Sequence, residues 1–397
     1  MRRRRATVAA LAAVLLAVPI LAGCTTATPA PSARPTGPDT PAPSPTGTPP
    51  VSPTGVTTVL ATGLDAPWSI LRLGDSTLLS YRDTGQIMEL TPTGELREAA
   101  VVPGVDPGGE GGLLGLAART QDEQHWIYAY LTAARDNRVV RMPLGGSPGS
   151  LTLGAVEVVL EGLAKAGNHN GGRIAFGPDG MLYVTVGDAG NGNLAQDPAS
   201  LNGKILRVTP TGEVPQDNPI DGSEVWSLGH RNPQGLAWDA DGRLWASEFG
   251  QNTWDELNLI EPGKNYGWPR VEGQAGDPEF VDPAYQWSTD EASPSGLTVV
   301  DNTLFMAALR GQRLWGILDG VHVPEGSRGL EGVVTASAYF DREFGRIRDV
   351  APGPDGTLWL ITNNTDGRGT PGPDDDRLIE VALAPLVEGR ATKSESE

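Results

Sequence analysis

His169 and Asp188 bracket the stretch of this chain richest in chemical possibility, GNHNGGRIAFGPDGMLYVTVGDAG at 167–190. An imidazole on a loop of Asn and Gly, with a carboxylate returning at the end of the next strand, is a common build for an oriented general base. Gly171 and Gly187 lack a Cβ, so the backbone beside both groups can turn sharply or approach a ligand closely. The same residues also fit a surface histidine between ordinary turns, and spacing alone leaves both readings open.

A second polar block lies at 229–273. Gly-His-Arg-Asn-Pro-Gln-Gly at 229–235 sets Arg231 and Asn232 immediately before a strand, and Ser-Glu-Phe-Gly-Gln-Asn-Thr-Trp-Asp-Glu at 247–256 is a loop rich in oxygen ligands. Backbone carbonyls in a Gly-containing loop, with carboxylates near, suit a hard cation such as Ca²⁺. Glu248, Asp255 and Glu256 read equally as solvated charges or turn caps. Farther on, strand alternation puts Arg346 and Arg348 on one face and Asp349 on the other. Two adjacent guanidinia repel unless an anion lies between them, and a carboxylate or phosphate is the natural guest because Arg binds either bidentately. An outer-face pair screened by the many acids is the alternative. Arg310, just after another strand, can join this set.

Several chemistries are unsupported. Gly-x-Ser-x-Gly occurs only at 145–149 and Gly-x-Gly-x-x-Gly only at 367–372, each with a Pro inside and no helix signal after it, and there is no phosphate-binding Gly-Lys-Ser/Thr loop. Four His and one Cys are scattered, without zinc spacing. A formal charge of −19 with no basic stripe argues against nucleic acid as a partner, and it makes any local group of Arg informative.

The elements that must position these residues recur. A polar turn followed by an apolar or aromatic strand appears six times, with the turn Asp at 75, 122, 179, 241, 301 and 355. Pro-Asp-Gly-Met-Leu-Tyr-Val at 178–184 and Pro-Asp-Gly-Thr-Leu-Trp-Leu at 354–360 are typical. Asp-Gly before a β-prone run is a hairpin signal. Weaker strands fit between the units, at 85–90, 139–142, 205–208, 256–260, 314–318 and 378–381. Helical periodicity is scarce, and Gly (52) and Pro (34) are plentiful. Six units at intervals of roughly 50–60 residues predict an all-β fold, a six-bladed β-propeller of four-stranded antiparallel blades. Stacking in a closed ring buries the blade faces, and loops from different blades meet at one mouth of the channel.

The ends of the 397-residue chain read differently. Residues 1–24 have a basic start, an apolar run from Val8 to Leu21 and Leu-Ala-Gly-Cys at 21–24, which resembles a bacterial lipoprotein lipobox. Its implication is cleavage before Cys24, lipid on that sulfur and anchorage to the outer face of the cell membrane. Residues 25–55, rich in Pro, Thr and Ser, have too little apolar bulk to fold and predict a disordered, semi-stiff tether. The folded domain is then 56–387, followed by a polar tail at 388–397. With one cysteine there is no intrachain disulfide, and oligomeric state is not legible.

Seven segments in order resemble the glucose/sorbosone dehydrogenase family of soluble sugar dehydrogenases dependent on pyrroloquinoline quinone (PQQ). They are Ala66-Pro67-Trp68, Gly111–Gly115, Asn168–Gly172, Gly187-Asp188, Gly229–Gly235, Asn265–Pro269 and Arg346–Val350. The resemblance implies His169 as general base, Asp188 as its orienting partner, Arg231 beside the reacting quinone carbonyl and Asn232 on the cofactor. It implies Arg346 and Arg348 as ligands of the cofactor carboxylates, and the carbonyls of Gly250 and Gln251 as ligands of Ca²⁺. Arg310 stands where the family's glucose enzymes carry a cofactor-binding Lys. Glu110 replaces a Gln near substrate and cofactor, and Gln251 replaces a Pro. The family's second calcium loop is not recognisable around 270–280.

The activity so implied is oxidation of the anomeric hydroxyl of aldoses to lactones, broad rather than strict for glucose. His169 takes the hydroxyl proton as hydride leaves C1, and electrons pass to an external acceptor. The alternatives are a non-catalytic propeller that binds carbohydrate or protein, and a metal-dependent lactone hydrolase. The hydrolase would need carboxylate and amide side chains directly on its metal.

Overall fold

Each of the six turn aspartates lies at the hairpin between the first two strands of a four-stranded antiparallel sheet. The computed structural model describes residues 48–320 and 333–386. The leader, Cys24, the tether up to residue 47 and the polar tail lie outside the described residues.

Blade 1 runs Pro67–Leu73, Ser76–Tyr81, Gln86–Leu90 and Leu96–Val101. Blade 2 runs Leu113–Gln121, Gln124–Thr132, Asn137–Gly145 and Glu157–Leu163, with the short Thr152–Leu153 added to its third strand. Blade 3 comprises Ile174–Phe176, Leu182–Val186, Lys204–Val208 and Val225–Leu228. Blade 4 comprises Pro233–Trp238, Leu244–Glu248, Trp254–Ile260 and Tyr285–Ser288. Blade 5 comprises Pro294–Val300, Thr303–Ala308, Arg313–Leu318 and Thr335–Tyr339. Blade 6 takes Ile347–Pro352, Leu358–Thr362 and Leu378–Pro385 from the C-terminal end and Val51–Ala61 from the N-terminal end. The repeats are the second strands, and the weaker strands read between them are the third.

Second strands are the most apolar because both their faces are covered. Ser76–Tyr81, Leu182–Val186, Leu244–Glu248, Thr303–Ala308 and Leu358–Thr362 are buried at every position. Six apolar clusters fill the six seams between successive blades. Leu79 and Ile70 of blade 1, for example, pack with Ile361 and Trp359 of blade 6. The last seam closes the ring, and burial rather than covalent linkage holds it.

One boundary differs from the sequence reading. The N-terminal strand starts at Val51, inside the stretch read as tether, and pairs Val51 with Pro385 and Thr58 with Glu380. Its Pro and Thr content hides a strand whose partner lies more than 300 residues away. Thr303 fixes the start, donating to the Val51 carbonyl at 2.8 Å and accepting its N–H at 2.9 Å.

The first strand of each blade lines the channel, and polar groups knit these strands together. Asp349 of blade 6 accepts Arg173 Nη1 at 3.0 Å and the Ile70 N–H of blade 1 at 2.9 Å. Arg346 and Arg348 share one cavity while Asp349 turns to Arg173 and Ile70, as expected, but regular alternation is not the cause. The ladder to the second strand is irregular between Ile347 and Asp349, so one extra residue enters at Arg348. Arg348 and Asp349 then both reach inner strands of other blades, Arg348 by bonds to Gln234 and Ser295.

Candidate active site

In an antiparallel blade, the entry to the first strand and the exit from the second lie at the same end. Every candidate residue occupies such a place. Glu110, His169, Arg231, Asn232 and Arg346 precede first strands, and Asp188, Gly250, Gln251 and Arg310 follow second strands. Arg348 lies at the start of the blade 6 inner strand, so the topology collects all ten at one mouth, opposite the Asp-Gly turns.

A cavity of ≈ 380 Å³ is lined by His169, Asp188, Asn193, Arg231, Gln251 and Trp268, among others. His169 Nδ1 lies 2.7 Å from Asp188 Oδ1. Asp188 also accepts Trp268 Nε1 at 2.8 Å and the Gly190 N–H at 2.8 Å. Burial opposes ionisation of Asp188, but the hydrogen bonds from His169, Trp268 and Gly190 outweigh it and hold the carboxyl below the usual aspartate range. An ionised Asp188 can only accept, so Nδ1 carries the proton, and it is Nε2 that would face a substrate hydroxyl in the neutral imidazole. Close packing sets this pair. A Cβ on Gly187 would lie 2.1 Å from the His169 carbonyl oxygen, and one on Gly171 would lie 2.5 Å from the Thr185 carbonyl oxygen.

Arg231 stands over the Trp268 ring, 5.4 Å from its centroid, and donates to the Phe249 carbonyl at 3.3 Å. Its backbone N–H donates to Glu248. Asn232 is buried beneath, its Oδ1 accepting the Gly171 N–H at 3.0 Å, and so braces the His169 loop.

The adjoining cavity, of ≈ 330 Å³, brings Arg82, Arg310, Arg346, Arg348 and Arg368 together with Glu110, Asp366 and Trp68. Five guanidinia thus face two carboxylates in a protein of net charge −19. Asp366 lies 2.9 Å from Arg346 and 3.9 Å from Arg348. Burial raises the Asp366 carboxyl, yet the two arginines hold it below the usual range. Burial pushes Arg348 down to about 9, with neighbouring Arg346 and Arg82 adding to the shift against Asp366. Glu110 joins the two cavities. It accepts the His169 N–H at 3.0 Å and Arg368 Nη1 at 2.9 Å, contacts that overcome burial and keep it ionised. Arg310 sits on the rim, side chain exposed and 2.5 Å from Asp290.

Among the described residues, the Nε atoms of Arg231, Arg346 and Arg348 are buried with no hydrogen-bond partner. Buried donors of this kind are rare, and the excess of guanidinia over carboxylates in the adjoining cavity suits an anionic group.

The acids of the 247–256 loop are not solvated charges. Glu248 is buried and accepts His230 Nδ1 at 2.8 Å, and Asp255 is buried and accepts the Gly250 N–H at 2.9 Å. Among the described residues, no three His, Cys, Asp or Glu side chains gather as a metal site. Sequence reasoning gave no role to Trp268, Asp366, Arg82, Arg368 or Glu272. Trp268 stood in the Asn-Tyr-Gly-Trp-Pro segment, a usable signal, whereas Asp366 lies in an acidic loop like several others.

Fold and site together define a propeller whose mouth holds the His169–Asp188 pair beside a cationic pocket. The chain belongs to the glucose/sorbosone dehydrogenase family, whose model matches residues 64–371. It is 48% identical to the PQQ-bound aldose sugar dehydrogenase structure from Streptomyces coelicolor, with a TM-score of 0.76 over 84% of this chain and 100% of that one. It is 31% identical to aldose sugar dehydrogenase YliI of Escherichia coli K12 over 78% of this chain and 90% of the relative. Quinoprotein glucose dehydrogenase B of Acinetobacter calcoaceticus is 33% identical over 56% of this chain and 54% of its own length.

Proposed function

We propose that this chain oxidises the anomeric hydroxyl of aldoses to lactones, using PQQ with Ca²⁺. The observation that carries the reading is the gathering of Arg82, Arg310, Arg346, Arg348 and Arg368 against only Glu110 and Asp366 in one cavity, next to the cavity of His169, Asp188 and Arg231. A flat tricarboxylate such as PQQ supplies the negative charge that this pocket lacks. Arg346 and Arg348 would hold it from blade 6 and Arg231 and Asn232 from blade 4, with Glu110 and Arg310 at the edges. The carbonyls of Gly250 and Gln251 would hold the cation. When bound, PQQ supplies the two-electron acceptor that the protein's own side chains lack.

His169 Nε2 would take the proton of the anomeric hydroxyl, which frees the C1 hydride for the two-electron acceptor that PQQ would supply. Asp188 fixes the imidazole tautomer and balances the charge that forms on it. Arg231, fixed by Trp268 and the Phe249 carbonyl, presents a positive charge where negative charge develops. An external acceptor would then take the electrons. Among the described residues no cluster of carboxylates offers the ligands a metal-dependent lactonase would need. We further propose that Cys24 carries lipid and holds the domain at the outer face of the membrane.

The test is dye reduction with a panel of aldoses after addition of PQQ and Ca²⁺, alone and together. Turnover that needs both and extends beyond glucose supports the reading. No turnover with both present, on any aldose, rejects it.

A further inference from the structure

We propose that Glu272, near the end of the polar block 229–273 but in none of the family segments, is the positioning residue of the cation site at Gly250 and Gln251. The proposal rests on the calcium reading of those carbonyls. One oxygen of Glu272, Oε1, accepts the backbone N–H groups of Gln251, Asn252, Thr253 and Trp254 at 2.7, 3.1, 3.0 and 3.2 Å. Four successive amides converging on one anion form a nest. The nest dictates where the carbonyls go. The peptides here are trans, and in a planar trans peptide the N–H and the C=O point in opposite directions. The Gln251 N–H shares its plane with the Gly250 carbonyl, and the Asn252 N–H shares its plane with the Gln251 carbonyl. Two amides drawn to Glu272 therefore turn both carbonyls to the side opposite it. Each N–H bonded to an anion also polarises its own carbonyl into a better acceptor.

The packing at the start of the loop leaves no room for a side chain. A Cβ on Gly250 would lie 1.7 Å from the Trp254 carbonyl oxygen and 2.8 Å from Glu272 Oε1. Glu272 is itself anchored, because the Arg270 and Val271 N–H groups donate to the Gly267 carbonyl at 2.7 and 3.1 Å. The next residue, Trp268, donates to Asp188, so one turn fixes both the cation loop and the partner of the base.

The test compares calcium binding by wild type, Glu272→Ala and Glu272→Gln, using calorimetry with Ca²⁺ alone and with PQQ present. Removing the acceptor should weaken calcium binding about 10–100-fold. Glutamine, which keeps an acceptor oxygen, should stay near wild type. Turnover of the alanine variant should return at saturating calcium. Hydrogen exchange on wild type needs no variant: amides 251–254 should be protected before calcium is added, although Gln251, Asn252 and Thr253 are exposed. Wild-type affinity in Glu272→Ala, an equal loss in Glu272→Gln or fast exchange at these amides would overturn the role of Glu272. Wild type that takes up no calcium in either condition overturns the cation reading itself, and this role with it.

Discussion

The proton held between His169 and Asp188 decides what the site can do. On the proposed reading, with Nδ1–H committed to an ionised carboxylate, Nε2 acts as the base; without that carboxylate, the other tautomer puts a proton where the lone pair is needed. His169→Ala should lower kcat about 10²–10⁴-fold while PQQ binding survives, measured by stopped-flow reduction and by titration. An unchanged rate would remove His169 from the mechanism. Asp188→Asn should also lose rate, and it carries a pH signature. Because the folded carboxyl titrates below the ordinary aspartate range, its contribution to stability is fully present above that range and disappears as pH falls through it. Urea melts of wild type and Asp188→Asn should therefore differ at neutral pH and converge in strong acid. A constant gap would contradict the assignment. At this scale the motifs located His169, Asp188 and Arg231 at one mouth, where the structure places them. They did not point to Asp366 or Glu272, which sit in no family segment; Asp366 meets Arg346 and Arg348 at the start of the blade 6 inner strand, and Glu272 meets backbone amides, which leave no trace in residue type.

Strand ends, rather than whole strands, carry the chemistry. The six turns were legible because Asp-Gly and a fully buried second strand leave a strong local pattern. The N-terminal strand was missed because Val51-Ser52-Pro53-Thr54 has no such pattern and earns its place only by pairing with Leu378–Pro385. A chain beginning at Val56 gives up the burial of Val51, worth about 1.5–3 kcal/mol, besides the bonds to Thr303. Denaturant melts should show it less stable than a chain beginning at Thr48 by at least that order. Equal stability would mean the strand does not close blade 6. The irregularity at Arg348 was equally hidden, since alternation is what sequence reasoning must assume and a bulge is the exception to it.

Across the whole molecule, six blades meet at a channel whose polar contents lock the ring as well as hold the ligand. The Arg173–Asp349 pair ties blade 6 to the loop entering blade 3, with a direct bond to blade 1. Asp349→Ala would leave the Arg173 charge buried without its carboxylate and should cost about 3–5 kcal/mol in urea unfolding, far more than an exposed pair. A change within experimental scatter would show that the channel is wetter than its packing implies. Closure of the ring and the gathering of ten residues at one mouth followed from repeat spacing and antiparallel topology, so both were legible early. The depth of the cationic pocket was not, because Arg82 and Arg368 come from motif-free loops. The central claim is that this pocket exists to hold an anionic quinone. The most direct measurement is equilibrium binding of PQQ, with Ca²⁺ present, to wild type and to Arg346→Ala/Arg348→Ala. The account predicts tight binding to wild type and a loss of about 10²-fold or more in the double variant, since each charge-assisted contact contributes about 1.5–3 kcal/mol. Equal affinity in the two proteins, or no binding to wild type, would contradict it.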